Sequence, residues 1–253
     1  MIQMHLKVIN PNSTASMTAK IGECARAAAG PGVTVEATNP PQGPIAIESH
    51  ADAALAVPGV LAEIASGEAA GYDGYVIACF GDPGLKAARE LARGPVVGIA
   101  EAAMRTAAYL GRGFSVVTTL SRTVGQAREL AEEYGVARNC LGIHACEIPV
   151  LALETDPRAR AIILRACEEA LARDGSDAIV LGCAGMADLC HDLSAELGVS
   201  VVDGVAAATV AVEGLVRMRL ATGKLGEFAS PPTRTALVSE EIAGSAAVRA
   251  VLG

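Results

Sequence analysis

The segment GYDGYVIACFGDPGL, residues 71–85, lines up with GSDAIVLGCAGMADL, residues 175–189. Gly, Asp, Cys, Gly and Leu fall in the same columns. Each copy reads as a short apolar strand that runs into a cysteine, Cys79 or Cys183, and then into a turn. The match extends outward in both directions. Downstream, GPVVGIAEAAMRTAAYLG (94–111) parallels GVSVVDGVAAATVAVEGL (198–215), a strand followed by an Ala-rich helix. Upstream, LKVINPNST (6–14) parallels FSVVTTLSRT (114–123), a strand ending in small hydroxyl residues. Three similarities in one order imply two similar halves related by a pseudo-twofold axis. Such an axis brings the two cysteine-bearing strand ends face to face.

Between these landmarks the chain alternates strand and helix. Strand-like runs lie at 5–10, 33–38, 74–80, 95–99, 114–119, 141–146, 178–183 and 199–204. Helical stretches run from Ser13 to Ala29, Ala51 to Ser66, Gly84 to Ala92, Ala100 to Leu110, Arg122 to Tyr134, Pro157 to Arg173 and Val205 to Leu220. A closing helix is expected near Ser239 to Val251, after a loop-like stretch at 222–237. The alternation predicts an α/β protein of two Rossmann/flavodoxin-like lobes, each with a parallel four-stranded sheet. Ligands in such folds bind at the carboxyl ends of strands, so the active site is expected in the cleft between lobes. The Ala-rich helix after Val205 completes the first half, so lobe one takes 1–98 plus 205–253 and lobe two takes 99–204.

Composition narrows the function. The 253 residues are 51% hydrophobic and only 19% charged, enough for a large core and against disorder. A net charge of −8 with no Lys/Arg patch argues against nucleic acid and against an anionic membrane surface. No uninterrupted apolar run suggests a membrane span, and MIQMHLKVIN enters a strand at once without a signal-peptide pattern, so a cytoplasmic setting is expected. The seven cysteines, Cys24, Cys79, Cys140, Cys146, Cys167, Cys183 and Cys190, are odd in number and irregular in spacing, and no CxxC occurs. A disulfide framework and a zinc site are therefore not expected, nor is a metal on Cys183, Cys190 and His191.

A thiol on each wall of a cleft suits the transfer of a proton between the two faces of one carbon. One cysteine, as thiolate, removes the proton, and the other, as thiol, delivers one to the opposite face. A free thiol near pH 8.5 needs only modest lowering, and the turn and helix start after each cysteine offer N–H groups that favour a thiolate. If the carbon adjoins a carbonyl, backbone N–H groups in FGDPG and AGMA are candidates to hold the enolate oxygen. The candidate substrate contacts are Pro11, Asn12, Ser13 and Thr14 after strand one, Phe80 and Gly81, Thr118 and Thr119, and Ala184 and Gly185. Asn12 or Ser13 is also a candidate cap for the next helix. An isolated strand-end cysteine is ordinarily a small buried hydrophobe, and that reading stands for the other five. It is the matched pair that argues for function. Asp82 is read as ordering its own turn or orienting Cys79, Glu101 as a helix-opening charge, and His50 and His144 as solvent or loop residues.

These residues resemble the hydantoin racemase branch of the aspartate/glutamate racemase superfamily, which includes allantoin racemases. VINPNST (8–14), VIACFGDPGL (76–85), PVVGIAEAAM (95–104), FSVVTTLSRT (114–123), IPVLALE (148–154) and IVLGCAGMADL (179–189) carry the resemblance over nearly the whole chain. It implies a cofactor-independent racemase of 5-monosubstituted hydantoins, a homo-oligomer, with Cys79 and Cys183 as the two acid/bases and no metal. The substituent stays open. Phe80, Ile45 and Ile47 suit an apolar side chain, whereas Glu48, Ser49 and His50 suit the ureido group of allantoin. Other reactions on the scaffold are amino-acid racemisation, maleate-type isomerisation and arylmalonate-type decarboxylation. The last needs one cysteine and is disfavoured by two. The rival of another class is a non-catalytic two-lobed binder with inert cysteines, which slow alkylation by iodoacetamide would favour.

Overall fold

A computed structural model of the chain describes residues 3–231. The helix expected near Ser239 to Val251 lies outside the described residues. The first half runs β1 (Met4–Ile9), α1 (Ala15–Ala28), β2 (Val33–Thr38), α2 (His50–Ala70), β3 (Gly74–Ile77), α3 (Leu85–Leu91), β4 (Val96–Gly98) and α4 (Ile99–Ala107). The second runs β5 (Phe114–Thr118), α5 (Val124–Glu133), β6 (Cys140–Ala145), α6 (Ala152–Thr155), α7 (Ala159–Asp174), β7 (Ala178–Gly182), α8 (Cys190–Leu197), β8 (Ser200–Val202) and α9 (Gly204–Arg217). All pairings are parallel, in the orders β2-β1-β3-β4 and β6-β5-β7-β8. The expected strands form, although β3 ends at Ile77 because the chain turns at Cys79. The short helices α6 and α8 are additions to the sequence reading.

The repeat has a physical content. Gly71 and Gly175 end α2 and α7 with left-handed φ of 80° and 62°, a conformation that costs a side-chain-bearing residue ~1 kcal/mol. Two residues on, Asp73 and Asp177 tie β3 and β7 to their neighbours. The Asp73 carboxylate accepts from His5 N at 2.8 Å, and that of Asp177 accepts from Arg112 N at 2.7 Å. In both sheets the chain leaves its first strand toward one edge and its third strand toward the other. The crevice at that reversal opens at the carboxyl ends of β1 and β3, and of β5 and β7. Cys79 and Cys183 therefore sit at the two switch points.

Burial explains why the halves face each other. The central strands β3, β5 and β7 are buried along their whole length, as sheets covered on both faces require. Along β5 and β7, Val116, Ala178 and Val180 join the core that also holds Leu6, Val8 and Val76. Their alternate neighbours Val117, Ile179 and Leu181 build a separate cluster with Ile163, Cys167 and Leu193. One face of the second sheet thus shares a core with the first. Helices α4 and α9 pack on each other at this seam; α9 also covers α1, β3 and β4, and α4 reaches β7 and β8.

Asp82 is built into the seam. The sequence suggests that it orders its own turn, and the structure gives it a wider role. The side chain is 6% exposed, and its carboxylate accepts from Ala100 N (3.1 Å), Glu101 N (2.9 Å) and Tyr134 OH (2.6 Å). It caps α4 from a distance, in the space that a side chain on Gly98 would fill: a Cβ there would lie 2.2 Å from Asp82 Cγ. The second half solves the same problem locally, with Asp203 capping α9 through Val205 N at 2.7 Å. Replacing Asp82 with Ala strands two N–H groups and a phenol, which is expected to lower stability by about 3 kcal/mol in urea titration. A shift within experimental error would show that water replaces the carboxylate freely.

Two expectations need correction. By length and composition α2, with 21 residues, passes as a candidate membrane span. It packs Ala56, Val60, Ile64 and Gly67 onto the protein, so its apolar residues serve the core on one side and leave Leu55 exposed on the other. His144 is not a loop residue: it lies on the edge strand β6 with Nε2 2.6 Å from Asp174 Oδ2, which also accepts from Ser115.

Candidate active site

Four strand ends converge on one cavity of about 50 Å³. It is lined by Asn12 and Met17 after β1, by Ala78 to Gly81 after β3, by Thr118 and Thr119 at β5, and by Gly182 to Ala184 at β7. Ile47, Thr123, Gln126, Ala127 and Val150 complete the wall. Cys79 and Cys183 enter from opposite halves, each half-buried and each free of a disulfide. Space for one water on this measure is ~10–15 Å³, so the cavity offers the room of roughly four waters.

Of the sequence-derived contacts, Asn12, Phe80, Gly81, Thr118, Thr119 and Ala184 line the cavity with the two cysteines. Pro11, Ser13, Thr14 and Gly185 do not. Pro11 is buried beneath the loop. Ser13 Oγ donates to the carbonyls of Gly43 and Pro44 at 3.3 and 3.4 Å, and Thr14 Oγ1 donates to that of Ile45 at 2.6 Å. These hydroxyls fasten the 43–47 segment over the cavity instead of capping α1, whose Thr14 makes no side-chain cap. Gly185 contributes its N–H to the Cys183 sulfur.

The same segment decides which pocket residues proposed for the substituent are available. Ile47 reaches the cavity, while Ile45 is 63% exposed and turned away. Glu48 accepts from Val150 N at 2.6 Å, closing the cover onto the second half. Ser49 caps α2 and bonds Asp52, and His50 is exposed. None of Glu48, Ser49 and His50 lines the cavity. Met17, Thr123, Gln126, Ala127 and Val150 were not anticipated. Gln126, Ala127 and Thr123 belong to the start of α5, and sequence spacing alone gives no sign that this turn leans across to the Cys79 loop.

The electrostatics also correct an expectation. The N–H groups of Gly81 and Gly185 do favour thiolates at Cys79 and Cys183. Burial works against them and prevails, pushing Cys79 up to about 12 and Cys183 up to about 11. Each thiol is thus neutral at pH 7 without substrate. Charge on Cys183 further disfavours charge on Cys79, so one thiolate beside one thiol is reached before two thiolates. Rapid alkylation at neutral pH therefore loses its value in separating an enzyme from an inert binder, since neutral thiols react slowly in both.

A two-lobed α/β chain with a thiol from each lobe at one small cavity invites comparison with known proteins. Residues 6–212 match the family model described as Asp/Glu/Hydantoin racemase. The chain belongs to this family. A family member from Rhizobium meliloti, named hydantoin racemase, is 51% identical over 92% of this chain and 97% of its own length. Allantoin racemase from Klebsiella pneumoniae superposes with a TM-score of 0.91 at 49% identity, covering 94% of this chain and 97% of that one. Allantoin racemase from Pseudomonas fluorescens gives a TM-score of 0.86 at 38% identity, over 93% of this chain and all of that one. The two-lobed family fold is shared over almost the whole described chain.

Proposed function

We propose that the protein racemises 5-monosubstituted hydantoins at C5 without a cofactor, with Cys79 and Cys183 as the acid/base pair. The observation that carries this reading is the placement of one thiol from each half on the same cavity. The names of its full-length relatives support it. In the forward direction one thiolate takes the C5 proton, and the C–H electron pair moves into the adjoining carbonyl to form an enolate. The opposite thiol then gives its proton to the other face of C5, and the carbonyl re-forms. The pair ends with its protonation states exchanged, ready for the opposite enantiomer. Burial makes the thiolate scarce but strongly basic, which suits abstraction from a weak carbon acid. The compact cavity suits a small planar ring.

The substituent range includes the ureido group of allantoin and apolar side chains, for Ile47, Phe80 and Val150 give the wall an apolar side while Thr119 and Thr123 give it a polar one. Thiol acid/base chemistry requires reduced cysteines, in keeping with a cytoplasmic setting. The test is a circular dichroism time course in D2O with single enantiomers of allantoin, 5-benzylhydantoin and 5-isobutylhydantoin, with proton NMR following C5. The expected result is loss of optical signal together with deuterium entry above background. No catalysed decay on any of the three would remove the assignment.

A further inference from the structure

The cavity's polar side chains are mostly committed to the protein. Asn12 Nδ2 donates to Met17 Sδ at 3.2 Å, and its oxygen accepts from Asn10 Nδ2 (2.8 Å) and Thr14 N (2.9 Å). The Thr123 hydroxyl donates to the Leu120 carbonyl at 2.8 Å, and the Thr118 hydroxyl has its proton within reach of Thr123 Oγ1 (2.9 Å) and the Gly182 carbonyl (3.3 Å). The N–H groups of Gly81 and Gly185, expected from the sequence to hold an enolate oxygen, are directed at the two sulfurs. A cavity side chain with a free donor is therefore a candidate to hold the charge that leaves C5.

Gln126 is such a donor. It lines the cavity from α5 in the second half and crosses to the Cys79 turn in the first, where a Cβ on Gly81 would lie 2.9 Å from its Nε2. Among the described residues its amide takes part in no hydrogen bond, although its helix neighbours Thr123 and Tyr134 do. The side chain is half-exposed, so its amide can exchange water for a ligand carbonyl without breaking a bond to the protein. The Thr119 hydroxyl is also uncommitted, but it stands at the end of β5 beside the β7 strand that leads to Cys183 and does not span the cleft.

We propose that the Gln126 side-chain amide donates to the ring carbonyl next to C5, holding the oxygen on which charge develops as the proton leaves. The proposal rests on the racemase reading and names the group that stabilises its intermediate. No proton passes to or from Gln126. It strengthens a hydrogen bond as the carbonyl becomes an enolate, so its effect belongs to the chemical step.

Gln126→Met keeps the length and removes the donor, and Gln126→Glu replaces the donor with an acceptor. Both are expected to lower kcat about 100-fold with allantoin and with 5-benzylhydantoin alike, the size of a lost oxyanion donor, while KM changes little. Gln126 is half-exposed on α5, so both variants are expected to fold, and thermal melts check it. A loss confined to allantoin and expressed in KM would overturn the proposal and make Gln126 a reader of the ureido group. Rates within about twofold of wild type, or a larger kcat loss in Thr119→Val, would overturn it too. Wild-type protein inert toward both hydantoins would instead fail the racemase reading itself, and this inference with it.

Discussion

Cys79→Ser is expected to stop racemisation in both directions while deuterium still enters one enantiomer. In that variant Cys183 remains on its wall of the cavity. It removes the proton that faces it, and solvent deuterium returns from the same sulfur to the same face. Configuration is retained and no optical signal is lost. Cys183→Ser should show the mirror result, with exchange limited to the other enantiomer. The serine hydroxyl is far too weak an acid to ionise here, so racemisation should fall by about 10³-fold or more. Proton NMR and circular dichroism on the same samples read exchange and inversion separately. Exchange of both enantiomers in one variant would show that the other cysteine reaches both faces. Racemisation at wild-type rate in either variant would take that cysteine out of the mechanism.

The second large effect is on pH. Burial raises both thiols, to about 12 for Cys79 and about 11 for Cys183. Raising a thiol's pKa favours its neutral form, so the thiolate base is the minor species throughout the neutral range. Its population grows about tenfold per pH unit below the lower of the two values. Accordingly kcat/KM, corrected for uncatalysed exchange, is expected to rise about 100-fold between pH 6.5 and 8.5. The activity should fall again only where both thiols ionise and no acid remains, above the higher value. The same shifts act on stability with a definite sign. A thiol raised in the folded state favours folding fully below its unfolded value near 8.5, and that contribution is lost as pH rises toward 12. A flat profile from pH 6.5 upward would show that the free enzyme already carries a thiolate, and the dominance of burial over the turn N–H groups would be wrong.

From the residues alone the turns after the cysteines looked like thiolate stabilisers that would leave pKa values slightly lowered. The N–H groups are where expected. What sequence spacing does not convey is how much protein lies around each sulfur, and that quantity sets the sign of the shift.

Strand–helix order, the duplication and the two thiols are legible in the residues alone. Those properties are local or periodic: an apolar run covered on both faces, a glycine at a left-handed helix end, an Asp, a Cys and a turn in fixed columns. Each repeats because each half solves the same folding problem with the same residues. What lies between the halves depends on how the chain packs. Ser13 and Thr14 turned out to hold the 43–47 cover instead of facing the cavity. Asp82 caps a helix of the seam and meets Tyr134 from the other half. Gln126, Met17 and Val150 reach the cavity from elements whose one-dimensional pattern marks only a helix face or a loop. Contacts across the pseudo-twofold axis join residues far apart in sequence, and no repeat or spacing encodes which of them meet. They are set by how two sheets share one core.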